Sequence, residues 1–164
     1  MVGAIILCVF AAIVWIIGIW ATGNGSALLY AIPLVVSGAI LIAVMRRSGH
    51  RAVPPVARRR IGRVVGFASA FEGFAILAAY ALVPQMQAVD FALPVVAIIV
   101  GLHFIPLARV FAGRLYYFTA ALLIVLGTTG FGIPNPDLRI LYVSIGIACI
   151  YWLTCIVALR SGNV

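Results

Sequence analysis

The chain has 164 residues, of which 66% are hydrophobic and only 9% charged, with a mean hydropathy of +1.27 and a formal net charge of +8. A soluble domain is roughly a quarter charged, so this chain has too little polar surface to cover a soluble core and reads as all-α and integral to a membrane. The positive charge comes from eleven arginines without a lysine; they lie in short segments between apolar runs, not on a basic face, which argues against nucleic acid as a partner.

A helix needs about 20 apolar residues to cross the hydrocarbon core, and six runs supply them: 3–22, 27–45, 61–83, 91–108, 115–132 and 136–159. The first starts almost at Met1 with no basic segment before it, so a retained span is expected, not a cleaved signal peptide. It ends in "TGNGS". The second ends in "RRSGHRAVPPVARRR", whose residues 46–60 read as a basic cytoplasmic loop held extended by Pro54 and Pro55.

The third and fourth runs are separated by "PQMQAVD", where Asp90 is placed to cap the fourth helix; the fourth and fifth are separated by "RVFAGR". Before the sixth run stands "FGIPNPD", in which Asn135 is an N-cap, Pro136 the first helical residue and Asp137 an acid in the positive first turn. These breaks predict a single transmembrane domain of six helices.

The arginines orient it. With both termini cytoplasmic, ten of the eleven arginines lie inside and only Arg139 outside, as the positive-inside rule requires. Trp20, Tyr30 and Tyr80 then fall toward outer ends, and Tyr116, Tyr117 and Trp152 toward inner ends, where interfacial aromatics belong. Arg46, Arg47, Arg51, Arg58, Arg59 and Arg60 are read first as topology anchors and second as contacts for anionic lipid headgroups. Cys8, Cys149 and Cys155 all fall inside apolar runs and are expected to be buried, inert thiols.

Two ionisable groups lie well inside spans, Glu72 in "GFASAFEGFAILAAYAL" and His103 in "GLHFIPLARVF". A charge at the bilayer centre costs a few kcal/mol on insertion scales, so Glu72 is not expected to face lipid as a carboxylate. Ala68, Ala75 and Ala79 lie on its side of the helix, and Ser69 and Gly73 have the small-xxx-small spacing that lets another backbone approach. His103 stands three residues before Pro106, which leaves the Leu102 carbonyl without its usual donor and predicts a bend. Counted from the cytoplasmic ends of their runs, at 1.5 Å per residue, Glu72 is about 15 Å deep and His103 about 9 Å. Their meeting then requires direct packing of the two helices and a shift or kink in the fourth.

The stretch "GLHFIPLARVF", following an acid-bearing span, resembles segments of uncharacterised bacterial multi-pass membrane proteins. The resemblance covers the third to fifth spans and implies bacterial inner-membrane placement; it brings no activity and no catalytic residue.

A haem or zinc site needs several ligands at one depth, whereas His103 is the one histidine within a span and His50 lies in the basic loop. Ser69 and Ser144 have no evident base, and the glycines from Gly127 to Gly132 lack the lysine and hydroxyl of a phosphate loop. No cofactor and no enzymatic activity are expected. The sequence favours a non-catalytic accessory or scaffold bundle, with a membrane-protein partner or a second copy beside it and Glu72 as an interhelical hydrogen-bond clamp. The alternative is a small proton-linked transporter or channel-like protein built on Glu72 and His103, with Ser69 and Tyr80 as neighbouring polar groups.

Overall fold

Each of the six apolar runs forms a helix: α1 (Val2–Ala21), α2 (Ala27–Arg47), α3 (Pro55–Leu82), α4 (Ala92–Phe111), α5 (Arg114–Gly130) and α6 (Pro136–Arg160). The structure is a computed structural model that describes residues 2–23, 25–47, 55–82, 91–111 and 113–160. Among the described residues there is no strand, and α1, α2, α3, α4 and α6 are each long and apolar enough to cross a membrane. The 17 residues of α5 stand at the short end of what spans a bilayer. The chain is an all-helical, membrane-embedded protein.

Local chemistry explains the boundaries. Gly23, at φ 66°, takes the left-handed conformation that closes α1, and its N–H donates to the Trp20 carbonyl. At α6 the expected cap is present, with the Leu138 N–H donating to Asn135 Oδ1 at 3.0 Å. Asp90 lies outside the described residues. The largest departure is at α3, which begins at Pro55, six residues before the apolar run. Pro55 has the fixed φ suited to a first helical position, and the arginines after it are good helix formers. The helix therefore extends out of the apolar run into the segment read as an extended loop. Through Pro106, α4 continues without a break to Phe111.

The helices group into two units. The first comprises α1, α2 and α6. Cys8 faces Cys155 and Gly18 faces Ser144, so α1 and α6 are antiparallel. Ser37 reaches the Cys8 carbonyl and Trp15 the Leu29 carbonyl, so α1 and α2 are antiparallel too. It follows that α2 and α6 run parallel, with their C-terminal ends beside the N-terminal end of α1. At Gly18 the approach is so close that an added Cβ would overlap the Ser144 side chain.

A polar chain crosses this unit. Trp152 Nε1 donates to Ser37 Oγ at 3.0 Å, and Ser37 Oγ donates to the Cys8 carbonyl at 2.9 Å, linking α6, α2 and α1. Trp152 is thus buried and tilted against Trp15 at 5.5 Å, a correction to its reading as an interfacial anchor: its indole N–H is consumed inside the protein. Trp20, by contrast, is 74% exposed. Arg139 is buried and donates to the carbonyls of Ile133 and Pro134, holding the turn before α6.

The second unit comprises α3, α4 and nearly all of α5. A Cβ at Gly101 would lie 2.8 Å from Ile124 and 3.0 Å from the Ala120 carbonyl, and one at Gly127 would lie 2.6 Å from the Pro94 carbonyl. Those two glycines let α4 and α5 meet backbone to backbone, antiparallel, with Phe104 stacked on Tyr116 at 6.1 Å. The other side of α4 receives α3.

Candidate functional site

At 3.6 residues per turn, His103 points about 200° away from Gly101. With Gly101 against α5, His103 is turned to the opposite side of α4, where α3 packs. Glu72 is the acid that meets it: Oε2 lies 3.4 Å from His103 Nδ1. The meeting needs no kink, because depth is better counted from the ends that the 83–91 connection joins. Glu72 is ten residues before the end of α3 at Leu82 and His103 eleven after the start of α4 at Ala92, about 15 and 16.5 Å respectively. A plain helical hairpin sets the two side chains level. The opposite ends of the apolar runs are poor reference points because α3 overruns its apolar stretch.

The His103 side chain is 9% exposed and that of Glu72 22%. Although the two atoms are within ion-pair distance, Nδ1 does not have hydrogen-bond geometry with any acceptor among the described residues. The distance and the missing hydrogen bond describe one arrangement: the groups touch, but the ring edge is not aimed at the carboxyl oxygen. A buried donor or acceptor left unpaired costs about 1–3 kcal/mol, which a small rotation of either side chain would recover. A Glu–His pair is neutral overall with one shared proton, whether as carboxylate and imidazolium or as carboxylic acid and imidazole. Adding a second proton or removing the first leaves a net charge in a medium that penalises it. The arrangement can therefore hold one proton and pass it on through a transient charged state.

Around the pair, Ala79 is buried and Ala75 half-buried, as expected for Glu72's side of α3. Ser69 is exposed, and no atom comes within 4 Å of a Cβ added at Gly73. The small-residue pair is thus not where α4 approaches, and Ser69 is not brought to the site. The α3 contact uses the alanines instead. Tyr80 lies on α3 with its side chain outside the described residues. Arg51 lies outside them altogether, as do the side chains of Arg47, Arg58, Arg59 and Arg60. Arg46 is exposed in the last turn of α2. Ser144 Oγ donates to the Ile140 carbonyl of its own helix at 2.7 Å, a structural bond. Among the described residues no group of three metal-ligating side chains occurs.

Ser37 and Trp15 were not singled out from the sequence, yet both make interhelical polar contacts. The available signal was a hydroxyl and an indole deep within apolar runs, where each needs a partner. In comparisons with known proteins, no family model, no curated protein and no solved structure matches this chain.

Proposed function

We propose that this chain is a small, non-enzymatic protein of a bacterial inner membrane in which Glu72 and His103 take up and release a proton during movement of a small solute. The observation that carries the reading is the 3.4 Å approach of the two groups, with His103 nine-tenths buried and its Nδ1 still lacking a hydrogen bond. A structural clamp completes its hydrogen bond and is fully enclosed; here Nδ1 has no hydrogen-bond partner among the described residues, and Glu72 retains 22% exposure. Both termini are cytoplasmic in this reading, on the strength of the arginine distribution.

The test is proton uptake by liposomes containing wild type, Glu72→Gln or His103→Gln, with folding verified separately. Glutamine keeps size and hydrogen-bonding capacity but cannot titrate. Wild-type uptake driven by a solute gradient, lost in Glu72→Gln, is the expected result; uptake that survives in Glu72→Gln overturns the proposal.

The second reading is an accessory bundle for a membrane-protein partner or a second copy. It is favoured by an aromatic ridge on α3, where Phe67, Phe71 and Phe74 follow helical spacing and are each 70% or more exposed. Under that reading Glu72→Gln and wild type give the same liposome traces, while Phe71→Ala weakens crosslinking to the neighbouring chain.

A further inference from the structure

The first unit carries a groove of about 530 Å³ between the C-terminal ends of α2 and α6, independent of the Glu72–His103 pair. Its walls are Ala39, Ile40, Ala43 and Ile156, and its rim holds Arg46 and Arg160. The two arginines are more than a hundred residues apart in sequence and come together because α2 and α6 run parallel. From Ala39 to Arg46 the wall extends about 10 Å along α2. It is lined by small and aliphatic side chains, with charge at one end only.

We infer that this groove binds one anionic phospholipid, its phosphate held by Arg46 and Arg160 and the upper part of an acyl chain lying against Ala39, Ala43 and Ile156. Charge complementarity selects the ligand. Two guanidiniums supply two full positive charges, against a partial charge of about −0.5 from each helix C-terminus. Among the described residues no acidic side chain lines the groove, and Asp137, the acid of α6, is 23 residues away at the opposite end of that helix. Guanidinium presents paired N–H donors that match phosphate oxygens. The apolar walls below select a lipid over a soluble phosphate, because a free anion leaves them without a partner. A basic rim between helix ends at a membrane surface is also where an anionic headgroup lies in the plane of the bilayer.

The experiment uses the full chain in zwitterionic detergent micelles. It is titrated with phosphatidylglycerol, with phosphatidylcholine of the same acyl chains, and with inorganic phosphate, and bound lipid is counted by native mass spectrometry. One phosphatidylglycerol should bind about thirtyfold more tightly than phosphatidylcholine, the increment that two basic residues give near a surface. In Arg46→Gln/Arg160→Gln that preference should vanish, and in Arg46→Lys/Arg160→Lys most of it should remain. Ala43→Phe, which fills the wall, should lower affinity for both lipids. Folding of each variant is checked by oxidative crosslinking of Cys8 to Cys155, which reports the α1–α6 contact. Equal affinity for the two lipids, an undiminished preference in the folded glutamine variant, or displacement of the lipid by millimolar inorganic phosphate overturns the inference.

Discussion

A double-mutant cycle on Glu72 and His103 separates a charged pair from a neutral contact. The perturbations are Glu72→Gln, His103→Gln and the two together. At 3.4 Å and an effective dielectric constant of about 20, opposite unit charges attract by about 5 kcal/mol before desolvation is subtracted. A neutral interhelical hydrogen bond in a membrane averages about 0.6 kcal/mol and reaches about 1.7. A carboxylate–imidazolium pair should therefore give a coupling energy above about 1.7 kcal/mol, and a neutral pair a smaller one. Because the contact lacks hydrogen-bond geometry at rest, a coupling above that threshold must come from charge. The assay is reversible unfolding of the purified chain in mixed micelles, followed by helix content, with all four proteins measured under one condition. Strict additivity of the two single substitutions, within about 0.3 kcal/mol, would refute direct contact and with it the basis for a shared proton.

Three other outcomes follow from the same structure. Cys8 and Cys155, with Sγ atoms 3.8 Å apart, should form an intramolecular disulfide under copper–phenanthroline oxidation at a rate independent of protein concentration, while the exposed Cys149 stays available to a thiol reagent; mass mapping that finds Cys149 in the bridge would contradict the α1–α6 register. Gly18→Val should destabilise the first unit by about 1–3 kcal/mol, the usual cost of forcing atoms into a packed contact, because a side chain there overlaps Ser144; an unchanged unfolding midpoint would show that the two helices do not meet at this point. Reporter fusions at the two ends should both read as cytoplasmic, and an external reading at either end would refute the six-span threading.

How much of the fold was legible differs from helix to helix. The C-terminal boundary of α1 and the start of α6 fall within a residue of their apolar runs because the breakers there are chemically decisive: Gly23 with its positive φ, and Asn135 followed by Pro136. The start of α3 was misplaced because hydropathy measures hydrocarbon, whereas helix formation depends on the backbone; Pro55 and three arginines continue a helix perfectly well beyond the apolar run. Helix partners were harder still. The α1–α6 contact joins residues 147 positions apart at Cys8 and Cys155, and nothing in a chain of nearly uniform apolar faces marks which face meets which. Gly18 and Ser144 are complementary only once both are seen, since a glycine in a membrane helix is common enough to carry no address.

The candidate site shows a different kind of limit. Glu72 and His103 were each conspicuous as ionisable groups in apolar runs, and a short connection made neighbours of their helices. The obstacle was a reference point: depths taken from the far ends of the apolar runs set the pair about 6 Å apart, while depths taken from the joined ends make them level. For two helices of a hairpin, the connection is the constraint that physically ties one register to the other, so it is the origin from which facing residues should be counted. Applied to α4 and α5, the same counting from the short link near Gly113 places Phe104, seven residues before Phe111, nearly level with Ala120, six after Arg114. A Cβ at Gly101 would meet Ile124, which is ten residues after Arg114 as Gly101 is ten before Phe111, and also Ala120 one turn away; one at Gly127 would meet Ile98, at the matching count of thirteen, and Pro94 one turn away, while Phe104 stacks on Tyr116. Both glycines thus stand at the level set by the link, and each also faces a backbone carbonyl, that of Ala120 or of Pro94. Counting from the connection therefore finds facing residues in both hairpins, and what differs is the closeness of approach: the glycines admit backbone contact between α4 and α5, whereas Gly73 on α3 is left open.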